Sequence, residues 1–406
     1  MKTLTTLEAS SSPREVSPAG SVGALIVGGQ HPGLGVARSL GRRRIPVCVV
    51  DDEHSISAYS RYVSHFVRVK DLRDERRAVD AVLDVGYKLG LRNWVLFPTR
   101  DETVAAFSRC RTELARFFKV TTPEWDSIEW AWNKKKTYDL AGELSIPCPL
   151  TFNPKGPSDL DALQSYLPLA IKPAVKEHFF YATKSKAWRA DNMQELHEKY
   201  AKARLYIASE EILLQEIIPG DGTRQFSYCA FFRDGRALGT LVARRLRQHP
   251  PDFGRAATYV ESIDLPQIEE LAIRFLEAID YYGIVEVEFK QDPRDGKYKL
   301  LDVNARTWGF HSLGFPAGVD FPYLLFSDQL GQVNAVQRGE PGIAWLRLCA
   351  DVPASFVELI RGRLDLKAYF ASLLKTRIES VYCAEDPLPA LMEFALLPYF
   401  VARRYF

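Results

Sequence analysis

The sequence predicts an α/β protein that begins with a doubly wound parallel sheet and continues with antiparallel hairpins of the α+β kind. Near the N-terminus, the apolar runs 24–27 and 46–52 flank a glycine-containing loop and a segment with helical spacing, the β-α-β pattern that opens such a sheet. Further along, residues 284–290 alternate between apolar and charged side chains, as a half-buried antiparallel strand does. The two patterns together indicate more than one domain.

Size and composition describe an ordinary globular protein. Its 406 residues suit two to four domains, and its formal charge of +2 gives no general attraction to nucleic acid or membrane. The six cysteines are scattered without CxxC spacing and mostly sit in apolar runs, as small buried side chains do in a reducing compartment. Residues 1–21 lack an apolar core and are expected to form a flexible tail, and no apolar run is long enough to span a membrane. We therefore expect a soluble cytoplasmic protein without a nucleic-acid partner.

The first ordered segment invites a dinucleotide-binding interpretation, with a glycine loop at 28–35 and acids after the second strand. The spacing does not fit G-x-G-x-x-G, and Pro32 interrupts the loop. A Rossmann-like domain with some other ligand at its switch point is the preferred hypothesis. Asp101 and Glu102 follow the strand at 94–97, where they could bind a ligand or cap the next helix.

Lysines recur through the middle of the chain. Lys134 opens a predicted helix that Pro147 ends, and Lys172 closes the apolar strand 167–173. A lysine at the end of a buried strand is costly unless it has an anionic partner. Lys184 and Lys186 follow, and a further strand stops at Pro219-Gly220.

A second hairpin, turned at 233–235, leads into a predicted basic loop at 244–251 that contains Arg244, Arg245 and Arg247. An exposed basic loop without function is the alternative interpretation of these arginines. A predicted helix over 265–282 then connects to the acidic hairpin.

The acidic hairpin is the most informative stretch. Glu286 and Glu288 share one face of its first strand, and Asp302, Asn304 and Arg306 share one face of its second. Folding it at 292–296 would place Glu288 beside Asp302 and Asn304. Carboxylate and amide oxygens suit Mg²⁺ rather than zinc. The alternative is a half-solvated hairpin with ordinary surface charges.

Taken in this order, the segments from about residue 24 to about residue 331 resemble the ATP-grasp superfamily of ligases. Five phrases resemble more closely its predicted carboligase branch, which includes D-aspartate ligase-like proteins; they lie at 217–220, 244–251, 257–262, 285–290 and 302–306. The resemblance implies a Rossmann-like pre-ATP-grasp domain (22–125), a two-lobed ATP-grasp domain (126–332, small lobe about 150–218 and large lobe about 219–332) and a C-terminal helical extension (333–406).

The resemblance also implies roles for single residues. For ATP, it implies that the phosphates contact Lys134, Lys172 and either Lys186 or Lys184, that the backbone of the hinge Glu216, Ile217 and Ile218 pairs with adenine, and that Asp221 contacts the ribose. For the metal, it implies that Glu288, Asp302 and Asn304 bind Mg²⁺. For the reaction, it implies that Arg306 stabilises the reacting centre and that Arg244, Arg245 or Arg247 adds positive charge at the transferring phosphate. Arg255 is a candidate for binding an incoming carboxylate, and Gly309 for lining the acceptor side.

The activity implied is an ATP-dependent carboxylate–amine ligation through an acyl phosphate, with ATP and two Mg²⁺ ions, for which Mn²⁺ can substitute. The partners would be a small-molecule carboxylate and an amine, one of them an amino acid, and a homodimer is an open possibility. Three departures from the superfamily pattern motivate a non-catalytic Mg·ATP-binding regulator as the alternative. Asp302 stands where many relatives have glutamate, Asn133 stands where aspartate is usual, and residues 174–181 contain no glycine. A dinucleotide-dependent oxidoreductase is the third hypothesis.

The C-terminal extension reads as a strand at 344–348, helices around 356–360 and 368–374, and a final apolar helix from 386 to 406. Packing of that last helix on the body of the protein is favoured over a dimer contact or a membrane-surface contact.

Overall fold

A computed structural model describes residues 22–249, 256–332 and 335–405. The predicted tail and Arg255 lie outside these residues.

The N-terminal domain is a five-stranded parallel sheet of order β3-β2-β1-β4-β5. Its strands are β1 (Ala24–Val27), β2 (Val47–Asp51), β3 (His65–Arg68), β4 (Val95–Pro98) and β5 (Lys119–Val120), and its helices are α1 (His31–Gly41), α2 (Glu75–Leu89), α3 (Asp101–Arg109) and α4 (Arg111–Leu114). The apolar strands form because they are covered on both faces, and β1 and β2 are fully buried. Residues that follow β1 (31–32) and β4 (99–102) line a cavity that is shared with the large lobe.

Two helices, α5 (Trp125–Trp132) and α6 (Lys134–Glu143), lead into a small lobe. Asn133 caps α6 by accepting from the backbone N–H groups of Lys135 (3.0 Å) and Lys136 (3.4 Å). The small lobe is an antiparallel sheet of order β6-β9-β7-β8 with two helices, namely β6 (Thr151–Phe152), β7 (Leu169–Pro173), α7 (Lys176–Thr183), β8 (Trp188–Ala190), α8 (Met193–Ala203) and β9 (Ile212–Glu216).

The large lobe is built on a sheet of order β14-β13-β10-β11-β12-β16-β17, with β15 beside β11. Its elements are β10 (Gln225–Arg233), β11 (Arg236–His249), β12 (Ala256–Ile263), α9 (Pro266–Ala278), β13 (Gly283–Gln291), β14 (Tyr298–Asn304), α10 (Phe321–Gln329), β15 (Gln337–Arg338) and β16 (Ala344–Leu346). The extension continues with α11 (Leu348–Ile360), α12 (Leu366–Lys375), β17 (Thr376–Glu379), α13 (Leu388–Ala395) and α14 (Leu397–Tyr405).

Three local predictions need correction. The basic loop is wrong, because β11 continues as a strand through His249, where β12 supplies its hydrogen-bonding partner. The helix predicted over 265–282 ends at Ala278, because Asp280 adopts a left-handed conformation with φ of 46° and the backbone N–H of Tyr281 donates back to the carbonyl of Leu276 (3.0 Å). The final helix is two helices, α13 and α14, with Leu396 between them.

One apolar core joins the N-terminal domain to the large lobe. Trp308, Trp345 and Phe231 are fully buried and belong to the same cluster as Ile26 and Val36 of the parallel sheet layer. The final helices also pack, in part, as expected: Ala390 lies with Leu34 and Ile56 in a small buried cluster. Shared packing of this kind holds the carboxyl edge of the parallel sheet against the acidic hairpin.

None of the helices in the described parts of the chain has the length and apolarity that crossing a bilayer demands.

Candidate active site

The acidic hairpin forms as predicted and brings its polar side chains together. In the antiparallel register of β13 and β14, Glu288 is opposite Asp302, and Glu286 is opposite Asn304. The Asn304 amide donates to Glu288 Oε1 (2.9 Å) and to Glu286 Oε2 (3.0 Å). Glu286, which was not among the predicted metal ligands, therefore lies as close to Asn304 as the predicted ligand Glu288 does.

Cations of the protein neutralise these carboxylates. Arg245 Nη2 lies 3.2 Å from Glu288 Oε2 and 3.8 Å from Glu286 Oε1, and Lys134 forms an ion pair with Asp302. Burial would raise the pKa of Asp302, but the charge and hydrogen bond of Lys134 outweigh it and lower that pKa. Burial, and then the charge of Glu288, raise the pKa of Glu286 to about 7.

The oxygen donors suit magnesium, but the carboxylates are not gathered as a metal cage. Within residues 22–249, 256–332 and 335–405, no three His, Cys, Asp or Glu side chains are arranged to hold a metal ion. Asn304 turns its amide nitrogen to the glutamates, while its oxygen accepts from Arg306 Nη2 (3.3 Å). The residues have the oxygen donors that Mg²⁺ requires. To bind it, Lys134 and Arg245 would have to release Asp302 and Glu288, and the Asn304 side-chain amide would have to flip so that its oxygen faces the metal.

The predicted phosphate lysines lie close to this hairpin. Lys172 Nζ donates to the Tyr138 hydroxyl and to Gln215 Oε1, both at 2.6 Å and both neutral groups. Burial, and then the neighbouring charge of Lys134, hold the pKa of Lys172 well below its ordinary value. A partly dehydrated ammonium group that is held by neutral partners is well prepared to bind an anion.

Lys184 and Lys186 differ sharply in position. Lys184 is exposed at the end of α7, in a left-handed conformation with φ of 56°. Lys186 lines the same cavity as Glu288 and Asp302, and burial, followed by the charge of Lys176, lowers its pKa to about 8. Of the two lysines that the sequence left open, Lys186 is the one at the site.

Glu216 and Ile218, predicted to belong to the hinge, are held in the fold by hydrogen bonds and ion pairs of their polar atoms. The Glu216 carboxylate binds Lys299 Nζ (2.8 Å) and Arg294 Nη2 (2.7 Å), and Lys290 Nζ donates to the carbonyl of Ile218 (2.9 Å). Ile217 is half-buried. Asp221 accepts from the backbone N–H (2.9 Å) and hydroxyl (2.6 Å) of Thr223 and so caps the next turn.

The three arginines of β11 point to three different places. Arg244 donates to the Thr223 carbonyl (2.7 Å), and Arg245 contacts the two glutamates. Arg247 makes two 2.8 Å hydrogen bonds to Asp351 in the extension. Of the three, only Arg245 faces the acidic hairpin. The arginines point in different directions because they lie on a strand, and the predicted loop gave no basis for this difference.

Asp101 is a site residue whose role the sequence left undecided. It is not a helix cap, since no side chain caps α3. Its carboxylate instead pairs with Arg306, with Nη2 at 3.3 Å, and accepts from Lys176 Nζ at 2.5 Å. Burial would raise the pKa of Asp101, but the charges of Arg306 and Lys176 outweigh it and lower that pKa. The location after a parallel strand was the signal available beforehand.

Helix α7 covers most of 174–181, the segment that contains no glycine. It begins at Lys176, directly after β7, and Tyr181 donates to Glu102 of the N-terminal domain at 2.6 Å. Arg73 lies 4.4 Å from the centre of the Tyr181 ring. The small lobe is therefore attached to the parallel-sheet domain across the mouth of the site, by a helix rather than a loop.

A cavity of about 360 Å³ lies where these elements meet. It is lined by Lys134, Lys186 and Arg245, by the acidic hairpin and Arg306, and on its far wall by Gly309 and His31. A Cβ atom on Gly309 would lie 3.4 Å from His31 Nε2, an ordinary van der Waals contact, so the space at this wall would also accept alanine. A second cavity, of about 410 Å³, lies between α1 and the extension and contains none of the predicted site residues.

The acids after β2, which the dinucleotide interpretation would assign to ribose binding, are already engaged by other groups of the protein. Asp51, at the end of β2, accepts from the backbone N–H of Gly29 (2.6 Å) and forms an ion pair with Arg100. Asp52 pairs with the same arginine at 2.7 Å. These acids hold the glycine loop and the β4 edge together, which is a structural role.

No family model matches the chain. A D-aspartate ligase from Enterococcus faecium (strain Aus0004) is 23% identical over 301 residues, which cover 70% of each protein. Among solved structures, the L-amino acid ligase from Bacillus licheniformis is similar with a TM-score of 0.62 and 15% identity, over 80% of this chain and 78% of that one.

Two further structures have the same fold. The biotin carboxylase domain of the Hydrogenobacter thermophilus 2-oxoglutarate carboxylase, in complex with MgADP, ADP and bicarbonate, has a TM-score of 0.63 and 13% identity over 79% and 73% of the chains. The ADP complex of the Staphylococcus aureus N5-carboxyaminoimidazole synthetase has a TM-score of 0.60 and 14% identity over 78% and 80%. These likenesses confirm the predicted fold class.

Proposed function

We propose that this chain, an ATP-grasp ligase in fold and in sequence similarity, joins a small-molecule carboxylate to an amine at the expense of ATP. The observation that carries the proposal is one cavity in which Lys134, and Lys186 of the small lobe, face the acidic hairpin of the large lobe. Lys172 lies behind this cavity, close enough to Lys134 and Asp302 for their charges to affect its pKa. Opposite charges on facing lobes suit a magnesium-bound triphosphate, which needs both. The D-aspartate ligase and L-amino acid ligase relatives support an amino acid as one substrate.

Lys134, Lys172 and Lys186 would bind the phosphates, and the backbone of Glu216, Ile217 and Ile218 would pair with adenine. Asp221 would reach the ribose with the carboxylate oxygen that does not hold Thr223. Glu288, Asp302 and Asn304 would hold two Mg²⁺ ions, or Mn²⁺ in their place. The metal would supply charge neutralisation between phosphate oxygens when bound.

Binding would exchange ionic partners at the site. Lys134 now pairs with Asp302, and Arg245 with Glu288. Each cation can turn to a phosphate oxygen once a divalent ion neutralises its carboxylate, so that no buried charge is left uncompensated. This exchange links nucleotide binding to metal binding.

The reaction has two steps. A carboxylate oxygen of the first substrate attacks the γ-phosphorus of ATP, the bond to the β,γ-bridging oxygen breaks, and ADP leaves with that oxygen. The amine nitrogen of the second substrate then attacks the acyl carbon, phosphate leaves, and the nitrogen loses a proton to give the amide. Arg306 would stabilise the negative charge that develops on the acyl oxygens. Lys176 and α7 would exclude water from the acyl phosphate.

The test is a screen of amino acids, singly and in pairs, for ADP release, with mass spectrometry of the product. Glu288→Gln and Lys172→Met should abolish substrate-dependent ADP release, because one removes a metal ligand and the other a phosphate cation. Matched controls are Glu198→Gln and Lys88→Met, which change exposed residues away from the site. Turnover at the unmutated level in both site variants would contradict the proposal.

A non-catalytic Mg·ATP-binding regulator is the second candidate, and the internal neutralisation of Glu288 and Asp302 favours it. It predicts that ADP binds with Mg²⁺ in calorimetry while no carboxylate and amine pair drives ADP release. Binding of NAD(P) in place of ADP would instead restore the oxidoreductase hypothesis.

A further inference from the structure

Helices α11 and α12 carry apolar residues on their outer faces, the reverse of ordinary surface helices. Leu348, Val352, Phe356 and Ile360 of α11 follow one another at four-residue spacing, and all four are exposed. Leu366, Phe370 and Leu374 repeat the spacing on α12, where Leu374 is 89% exposed. Residues four apart share one face of a helix, so each helix presents an apolar stripe to solvent.

Hydrogen bonds and an ion pair hold the inner faces of the two helices to the large sheet. Asp351 is fully buried and makes two 2.8 Å hydrogen bonds to Arg247 of β11. Arg247 also donates to the Ser372 hydroxyl of α12 at 2.9 Å, and Tyr259 donates to the Ser372 carbonyl at 3.1 Å. Because a buried ion pair fixes both helices to the large sheet, the outward apolar stripes belong to the folded arrangement.

Cations border the stripes. Arg361 and Arg363 lie in the connection between the helices, Lys367 and Lys375 lie on α12, and Arg377 follows it; all five are exposed. Three acids of this region are not buried: Asp365 caps α12, Glu358 lies near Arg361 and Arg363, and half-buried Glu379 accepts from the backbone N–H of Leu348. Five exposed cations still outnumber these three acids. The surface therefore combines apolar side chains with an excess of positive charge.

We propose that α11 and α12 form a membrane-surface docking site for bilayers that contain anionic phospholipids. Apolar stripes of this kind insert at the boundary between headgroups and acyl chains, and bordering lysines and arginines attract anionic headgroups. A second copy of the chain fits less well, because a two-fold contact places the same surface against itself and would bring the five cations of each copy together. A protein bound in this way lies on the membrane surface and does not span the bilayer.

The full chain is tested by co-sedimentation with vesicles of phosphatidylcholine alone and of phosphatidylcholine mixed equally with phosphatidylglycerol. We expect binding to the mixed vesicles and little to the neutral ones. The double variant Phe356→Ser, Phe370→Ser should weaken that binding by about tenfold or more, because two inserting side chains are lost. Both side chains are more than half exposed, so the variant should remain folded, as checked by its thermal midpoint.

The matched control is Leu205→Ser with Tyr206→Ser, a pair of exposed apolar residues in the small lobe. It should bind mixed vesicles as the unmutated chain does. The proposal is overturned if the chain does not bind mixed vesicles, if it binds neutral vesicles equally well, or if the control pair loses binding to the same extent. It is also overturned if light scattering finds a dimer that the Phe356→Ser, Phe370→Ser variant dissociates, which would assign the surface to a second copy.

Discussion

Asp101 and Arg306 are 205 positions apart in the chain, and their side chains form an ion pair across the junction of the N-terminal domain and the large lobe. Lys176, at the start of α7, donates to the same carboxylate at 2.5 Å. One carboxylate thus connects the parallel-sheet domain, the small lobe and the large lobe. The arginine proposed to act at the reacting centre is oriented by a residue outside the ATP-grasp domain.

Asp101→Asn should therefore lower kcat more than it raises KM for ATP. The variant keeps the shape of the side chain but removes the charge that orients Arg306, and small misplacements of such groups cost up to about 100-fold in rate. Steady-state ADP release with the substrate pair identified by the screen measures both constants. Glu102→Gln is the matched control, since Glu102 contacts Tyr181 of α7. An equal loss of kcat in both variants would assign the effect to α7 rather than to Arg306.

The same substitution should change how stability depends on pH. The pKa of Asp101 is lowered in the folded protein, so its charge stabilises the fold at pH values above its ordinary pKa of about 4, and this contribution is lost as the pH falls further. The difference in unfolding free energy between the unmutated chain and Asp101→Asn should be largest at neutral pH and shrink below about pH 4. Urea unfolding at neutral and acidic pH measures it, and a constant difference would contradict the assignment.

The arginines of β11 should separate into a site residue and a structural residue. Arg247→Ala leaves Asp351 buried without its partner, which should cost about 3 kcal/mol of unfolding free energy while the turnover of folded molecules is preserved. Arg245→Ala should instead abolish turnover, because it removes the cation between Glu286 and Glu288. Arg244→Ala, which loses a contact to a backbone carbonyl, is the control. Chemical denaturation and ADP release on all three variants decide the assignment.

Nucleotide affinity should fall as the pH rises past about 8. Lys186, with a pKa of about 8, loses its proton above that value, and a neutral amine no longer attracts a phosphate. Calorimetric titration with Mg·ADP between pH 7 and pH 9.5 should show this loss for the unmutated chain. Lys186→Met should bind more weakly at pH 7 and change less over the range. A parallel slope in both proteins would place the titrating group elsewhere.

Two helical glycines should respond oppositely to alanine. A Cβ on Gly35 of α1 would lie 2.3 Å from Cε1 of the buried His311 ring, which should cost about 1–3 kcal/mol. A Cβ on Gly142 of α6 would have no atom within 4 Å, so Gly142→Ala should raise stability by about 0.5 kcal/mol. Thermal or chemical unfolding of both variants gives the signs, and a loss at both positions would contradict the close approach at Gly35.

Local pattern was sufficient for much of the molecule. Alternation at 284–290 and the turn after it predicted a hairpin, and period 2 predicted that Glu288, Asp302 and Asn304 would meet, as their register confirms. The β-α-β opening predicted the parallel sheet for the same reason: periodicity reflects which faces are buried. A strand continuing through Arg244 to His249 was missed, because its partner β12 lies beyond the intervening residues and charge suggested a loop.

The sequence by itself determined the fold class, the ligase family that the chain resembles and the residue types available for a Mg·ATP site. Tertiary structure alone decided which of them share the cavity: Lys186 rather than Lys184, Arg245 rather than Arg247, and Asp101 as the partner of Arg306. The physical reason is the distance along the chain over which each kind of interaction acts. Backbone periodicity acts over a few residues, whereas ion pairs between 101 and 306, or 247 and 351, exist only after elements that are far apart in the chain have packed together.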